Sequence, residues 1–510
     1  MHAVVHSQRM RQVLAASIGH RAWRGSEFAS PGAVGALGTA AASALALSGL
    51  AVAMGCMGCS SGPPPPAIVE PTDNGDAGAD AGPAFVIKSL GCDAGGTQSA
   101  IAVSGAKIGV ASLASTSVTQ TCTISPLGPT LTSQVPVWNI CYAESQSDGS
   151  YSSTILTSQP YTSPTGVGLA FDSAGDPAIA FTGVGATPAA ERCGANDAFL
   201  VRATGGTFGA PVQVSSGSPS DGLVAAQAGN CSQNVCSSGD VTGWWPALAF
   251  DPSDNPLVAY RDVHFGFSSD DLTNKSDLEL AEGSGAGFSV LTIDVSRGGG
   301  WYNRVAMTPA GLPAVLHFST GSMPGVYINQ ATTMGSLADQ EADGGWSTEE
   351  IFSGQVGPQL GFGINARGVF GAAYFDTGSN ELFYVESSDG SKWSTPQPVD
   401  TYGLTGEDPS LAFDSSGEPA IAYYRCSGSH ANTQCDPTRD GLYLARRTNG
   451  GWKVVAVDLS THAYDPTSVY NGMYPALAFA GGKAAIAFQV MSSDAVTATN
   501  SASWWVAEEQ

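Results

Sequence analysis

Pro246-Ala247-Leu248-Ala249-Phe250-Asp251, a short turn, then Pro256-Leu257-Val258-Ala259-Tyr260: two apolar segments in which small and large residues alternate. Strict alternation places one set of side chains on each face of a strand, the period-two signature of a sheet. The same phrase returns as Ser410-Leu411-Ala412-Phe413-Asp414 running into Pro419-Ala420-Ile421-Ala422-Tyr423-Tyr424, joined by the tight turn Asp414-Ser415-Ser416-Gly417. Further copies centre on Ile101, Leu169, Val305, Leu360 and Leu477, so the seven anchors fall at intervals of 68, 79, 57, 55, 51 and 66 residues. Self-similarity at this spacing predicts a repeat architecture.

A second hairpin follows each pair. After Leu411 it reads Gly441-Leu442-Tyr443-Leu444-Ala445, a turn at Asn449-Gly450-Gly451, then Trp452-Lys453-Val454-Val455-Ala456-Val457-Asp458. Equivalents are Leu382-Phe383-Tyr384-Val385 with Trp393, Leu278-Glu279-Leu280-Ala281 with Phe288, and Ala198-Phe199-Leu200-Val201 with Phe208. Four antiparallel strands per unit, repeated radially, make a β-propeller blade. The last unit lacks its fourth strand, because the chain stops after Trp504-Trp505-Val506-Ala507-Glu508. Phe85-Val86-Ile87-Lys88-Ser89-Leu90, just before the first inner strand, supplies the missing one and removes the open edge. The expectation is all-β: a seven-bladed β-propeller over residues 84–510, closed by an N-terminal strand, with about 61 residues per blade.

Residues 1–55 read as an export signal. Arg9, Arg11, Arg21 and Arg24 precede an apolar, Ala/Gly/Leu-rich stretch that ends at Ala53-Met54-Gly55-Cys56. Small residues ending in Gly-Cys resemble the bacterial lipoprotein signal, in which that Cys becomes lipidated and N-terminal, although Ala53 departs from the usual Leu. The resemblance implies lipidation at Cys56, with Cys59 as the second candidate, against a plain secretory signal or one spanning helix. Residues 56–83 form a Pro/Gly/Asp-rich tether with too little apolar surface to fold, its aspartates solvated rather than calcium-binding. Without the signal, the 20 basic and 44 acidic residues fall to 16 and 43, a net charge of −27. A field of that sign disfavours nucleic acid and anionic lipid headgroups as partners. Eight cysteines remain in the folded part, and an even count in an exported chain reads as disulfides rather than metal ligands. Cys231–Cys236 and Cys426–Cys435 are the expected local pairs, leaving Cys92, Cys122, Cys141 and Cys193 to pair among themselves.

The repeat phase sorts the loops. Those joining strands 1–2 and 3–4 are short, whereas those joining 2–3 and 4–1 are long and varied: 114–139, 182–197, 217–244, 263–277, 425–440 and 459–475. All eight cysteines fall in or beside the long set, and long pinned loops on a rigid scaffold are where function resides. Trp244, Trp245, Trp301, Tyr302 and Tyr474 sit just before inner strands on that face. They either form platforms for a ligand or plug the central channel. Arg261, Asp262, His264, Arg304 and Arg425 reach the same rim, while His317 reads as a core histidine. A convergent set of aromatics and charges at a preformed concavity is the usual form of a binding site.

These blades resemble those of the sialidase-like superfamily, whose repeats carry an Asp-box (BNR-type) turn between strands 3 and 4. Ser387-Ser388-Asp389-Gly390-Ser391-Lys392-Trp393 and Ser145-Gln146-Ser147-Asp148-Gly149-Ser150-Tyr151 occupy that place, but with Asp and Gly adjacent rather than separated by one residue. The resemblance implies the propeller fold. The Arg motif that opens the sialidase arginine triad is absent, as are Gly-x-Ser-x-Gly, His-Glu-x-x-His and phosphate-loop motifs. The sequence therefore points to a monomeric, cell-envelope lipoprotein without cofactor, held to the membrane by its lipid anchor only, that binds a glycan or protein ligand on its long-loop face. The alternatives are a glycoside hydrolase or lyase at the same face, using carboxylates beside Arg261, Arg304 and Arg425, and a structural envelope protein.

Overall fold

The computed structural model describes residues 83–510 except 115–118, 124–131, 137, 157–161, 185–195, 216–240, 264–275, 285–286, 295–297, 321–323, 334–344, 358, 403, 427–439, 450, 460–467 and 495–498. The signal, the tether and Cys56 lie outside these residues, as do Cys193, Cys231, Cys236, Cys435 and His264. Every regular element among the described residues is a strand. The strands form seven antiparallel, four-stranded blades arranged as a ring. The sixth blade shows the plan: Leu404–Phe413, Pro419–Cys426, Gly441–Thr448 and Gly451–Leu459 pair in that order, with Leu411 opposite Ile421 and Ile421 opposite Ala445. In the second blade the fourth strand is reduced to two short pieces, Thr207–Phe208 and Val212–Gln213.

Register fixes the repeat phase. Phe362 pairs with Ala372 two residues before its strand ends, as Leu248 pairs with Val258. The fifth anchor is thus Phe362 rather than Leu360. A shift of two residues keeps the same face, which is why alternation alone does not distinguish them.

The core lies between blades, with an apolar cluster at each of the seven interfaces and a second, smaller one between the fifth and sixth blades. Leu113 and Tyr142 of the first blade pack with Leu169 and Phe181 of the second. Leu444 of the sixth packs with Ile486 and Phe488 of the seventh. Middle strands have both faces covered and are buried along their length, as Pro313–Ser319 is, whereas an outer strand such as Tyr151–Leu156 is mostly exposed.

Ring closure is the interface between the seventh blade and the first. Phe85, Val86, Ile87, Lys88 and Ser89 pair antiparallel with Glu509, Glu508, Ala507, Val506 and Trp505. The same strand, Phe85–Ser104, shifts register after Ser89 and continues as the inner strand of the first blade, where Ile101 pairs with Val110. Trp504, fully buried, donates its indole N–H to the Leu113 carbonyl at 3.2 Å, and Leu90, Val110 and Val506 close the apolar cluster. Glu508 ties the seam twice, to Lys88 Nζ at 2.6 Å and to the Tyr151 hydroxyl at 2.6 Å. A disulfide joins Cys92, beside the closing segment, to Cys141 on the third strand of the first blade, 49 residues away. This pair belongs to the set of four expected to combine among themselves. Cys426 is also disulfide-bonded.

The inner turns of neighbouring blades are stitched to one another on the short-loop face. Asp172, Asp251, Asn365 and Asp414 occupy one repeat position, and each side-chain Oδ1 accepts backbone N–H groups two and four residues on. Between blades, the Ser173 amide donates to Asp254 at 2.9 Å, and Asn365 and Arg367 donate to the Gly417 carbonyl at 3.1 and 3.2 Å. Arg447 bridges Glu386 and Glu418 at 2.6 and 3.0 Å.

Two outcomes are expected. Deleting residues 84–90 exposes the edge of Thr499–Glu509 and yields aggregated protein, checked by size-exclusion chromatography; a soluble variant with unchanged melting temperature would contradict the closure. Replacing Cys92 by Ser releases a 49-residue loop and costs about 4 kcal/mol by loop-closure entropy, read from urea unfolding without reductant.

Candidate functional site at the channel mouth

The opposite face is built from one repeated irregularity. Three residues before each inner-strand anchor of blades three to seven stand Trp245, Tyr302, Gln359, Asp408 and Tyr474, with φ of +50°, +56°, +70°, +55° and +51°. Left-handed backbone in bulky, non-glycine residues is uncommon and persists only where the surroundings over-determine it. A glycine two residues earlier explains how the chain gets there. At Gly243 (φ +86°) a Cβ would lie 2.6 Å from the Ala198 amide, and at Gly472 (φ +95°) 2.5 Å from the Leu442 amide. The chain crosses so close to the third strand of the preceding blade that only glycine fits, and the left-handed residue then returns it to the inner-strand path.

The residues expected at the rim are placed as follows. Trp244, Trp245, Trp301, Tyr302 and Tyr474 are all buried, at 5–7 % relative exposure. Trp245 stacks on Trp301 with centroids 4.6 Å apart and meets Tyr302 edge-on at 5.2 Å. The Arg261 guanidinium lies 3.7 Å from the Trp301 ring centroid and within 5.6 and 5.8 Å of Trp245 and Trp244. Three indoles therefore surround the protein's own cation, a cation–π cage filled from within. Burial pushes the Arg261 pKa well down, against the charge of Asp262 beside it in sequence. Asp262, itself fully buried, pairs across strands with Asp277 and Thr242.

Arg304 donates to the Asn303 carbonyl at 2.9 Å and to Gln359 Oε1 at 3.0 Å, linking blades four and five. Burial lowers its pKa to about 10, with Asp408 acting in the opposite sense. Asp408 is 1 % exposed and its Oδ1 has no hydrogen-bond partner. Burial first, then the neighbouring Glu407, hold its carboxyl well above the usual range, while the Tyr474 amide and Arg304 pull the other way. Trp244 Nε1, Trp301 Nε1 and Asn303 Oδ1 are likewise buried without a partner. Buried polar groups are ordinarily satisfied, so a cluster of such atoms amid strained backbone marks a place where shape is held for something other than stability.

Arg425 is not part of this cluster. Counted from the proline that opens the second strand, it matches Asp262, not Arg261, and so leaves the opposite side of its sheet. It pairs with Asp400 at 3.7 Å and lies over Tyr402 and Tyr443, at 4.3 and 4.8 Å from their centroids. Each of the three arginines thus has a carboxylate nearby; Arg261 and the Arg304–Asp408 pair both border Tyr302, whereas Arg425 stands apart. His317 is a satisfied core residue: its Nδ1 accepts the Gly300 amide at 3.1 Å and its Nε2 faces Asn329 Oδ1 at 2.9 Å. Among the described residues no group of three His, Cys, Asp or Glu side chains is arranged to hold a metal ion.

Sequence reasoning missed Gln359, Asn303 and the central position of Asp408. The available signal was Gly406-Glu407-Asp408-Pro409 matching Gly243-Trp244-Trp245-Pro246 and Gly472-Met473-Tyr474-Pro475.

No protein-family model matches the chain, and no curated protein matches it. Similar solved structures include a protein of unknown function from Dyadobacter fermentans, 9 % identical, covering 84 % of this chain and 98 % of its own, with a TM-score of 0.44. Virginiamycin B lyase from Staphylococcus aureus is 11 % identical, with coverage of 82 % and 98 % and a TM-score of 0.43. A Hadza microbial sialidase is 13 % identical, with coverage of 74 % and 77 % and a TM-score of 0.41.

Asp408 gives a pH test. A carboxyl whose folded pKa is raised supports the fold fully only below its unfolded pKa, and that support is lost as pH rises through the folded value. Asp408→Asn keeps the shape and tolerates left-handed φ. It is expected to melt higher than the parent at pH 7, with the difference vanishing towards pH 4. Parallel melting curves across that range would contradict the assignment.

Proposed function

We propose that this protein is an exported, lipid-anchored β-propeller that binds a glycan or protein ligand on its long-loop face. The observation that supports the reading is the asymmetry of the two faces. The short-loop face spends its polar groups on blade-to-blade stitching. The long-loop face holds five left-handed residues and, beneath its surface, the buried unpaired atoms of Trp244, Trp301, Asn303 and Asp408. Ligands bind where preformed concavities carry a few convergent polar groups, and loops on a rigid scaffold supply them. The anchor is assigned to Cys56, with residues 56–83 as tether. At about 3 Å per residue in extended polyproline geometry, such a tether holds the ring within roughly 85 Å of the membrane.

A glycoside hydrolase or lyase at the same face is the second reading. Its favouring observation is Asp408, a buried carboxyl with raised pKa beside Arg304 and Glu407, the environment that keeps an acid protonated until it is needed.

Glycan-array binding by the purified ring, followed by product-release assays on each hit, separates the two. Binding without release supports the first reading, release abolished by Asp408→Asn supports the second, and neither binding nor release overturns both. For the anchor, metabolic fatty-acid labelling is expected to disappear in Cys56→Ala; unchanged labelling would move it to Cys59 or remove it.

A further inference from the structure

With the tryptophans closed around Arg261, the aromatic surface of the long-loop face lies elsewhere. Tyr402 is 37 % exposed, the one exposed aromatic side chain among the described residues. It stands in the connection from Gln397–Asp400 to Leu404–Phe413, which carries the chain from the fifth blade to the sixth on the long-loop side. Arg425 is the penultimate residue of the second strand of the sixth blade on the same side, beside the disulfide-bonded Cys426. The two meet with the guanidinium carbon 4.3 Å from the Tyr402 centroid, and Tyr443 backs the guanidinium at 4.8 Å.

We propose that Tyr402 and Arg425 form a subsite for a neutral pyranose ring. The proposal rests on the reading of the protein as a ligand binder and names the ligand's chemistry. A pyranose offers an apolar C–H face that stacks on a tyrosine ring, and hydroxyls around its edge that accept from a planar guanidinium.

Three observations fit. The guanidinium lies between Tyr402 and Tyr443 and is under-used: its ion pair with Asp400 is at 3.7 Å, beyond hydrogen-bond distance, and with Nε buried it is the terminal Nη groups that a ligand hydroxyl would meet. Its charge is already balanced by Asp400, so neutral hydroxyls suit it better than a second carboxylate does. Asp400 is itself fixed, accepting the Tyr423 hydroxyl at 2.7 Å and the Tyr402 amide at 3.1 Å, which makes it a positioning residue for both partners. The whole chain carries a net charge of −24, which selects against uronic and other acidic sugars.

The test uses the full mature chain and immobilised neutral hexose oligosaccharides (cello-, laminari- and manno-series), with melting temperature measured on every variant. Tyr402→Ala is expected to weaken binding about tenfold or more, and Tyr402→Phe to retain it, both at unchanged melting temperature. Arg425→Lys keeps a charge beside Asp400 but loses the planar fork, so binding is expected to fall while the fold survives. Oligosaccharide binding by the parent that Tyr402→Ala and Arg425→Lys leave intact would overturn this subsite while leaving the ligand-binding reading standing. A parent that ignores the oligosaccharides but binds a protein would overturn the sugar assignment alone. Binding of neither would overturn both readings.

Discussion

The antiparallel pairing of Phe85–Ser89 with Trp505–Glu509 is the contact on which the rest of this structure depends. A blade of four short strands has two apolar faces and cannot bury either alone, so each is stable only between two neighbours. Six interfaces follow from chain order. The seventh requires the N-terminal segment to complete the last blade, and the chemistry gathered there reflects the demand. Trp504 reaches across to the Leu113 carbonyl, Glu508 takes both Lys88 and Tyr151, and Cys92–Cys141 fixes the bend where the closing strand becomes an inner strand. The Lys88–Glu508 pair is partly exposed and worth at most about 1 kcal/mol; the burial of Leu90, Val110 and Val506 around it carries more.

A closed ring gives its two ends different tasks. On one, Asp and Asn residues cap the inner turns with a geometry that repeats from blade to blade, and the Ser173–Asp254 and Asn365–Gly417 contacts set neighbouring turns against each other. On the other, the chain must pass from one blade to the next close to the axis. The Gly-x-left-handed sequence that accomplishes this directs Trp245, Tyr302, Gln359, Asp408 and Tyr474 together. Aromatic residues there shield Arg261 from solvent rather than present themselves to it. The exposed aromatic ring of Tyr402, with the half-buried Arg425 lying over it, sits instead in the connection between the fifth and sixth blades.

Much of the fold was legible because it is written in alternation and repeated words. Leu248, Leu411 and Leu477 hold equivalent register positions, and the closing strand pairs where the sequence placed it, displaced by one residue at most. Alternation is blind to shifts of two, which explains Leu360 in place of Phe362. The hairpin of Thr119–Thr123 and Thr132–Pro136, inside a stretch read as loop, escaped because its Thr/Ser/Gln-rich strands lack an apolar face. The candidate site was only half legible. Repeat phase puts Trp244, Trp245, Trp301, Tyr302 and Arg261 at strand ends on one face, and they do meet, but burial depends on what the neighbouring blade contributes, which spacing does not encode. Arg425 lies one strand position beyond the equivalent of Arg261, enough to send it to the other side of the sheet. Asp408 went unread because an acidic pair in an acidic chain carries no signal until its position in the repeat is counted.

Hydrogen exchange at the seam addresses the closure most directly, because an edge strand with no partner leaves its amides open to solvent. If the ring is closed as described, the paired amides within Phe85–Ser89 and Trp505–Glu509 will exchange as slowly as those of Pro419–Cys426 in the middle of the sixth blade. Fast exchange of Phe85–Ser89, with protection confined to Lys483–Asp494 and the face of Thr499–Glu509 that pairs with it, would show an open ring and contradict the account.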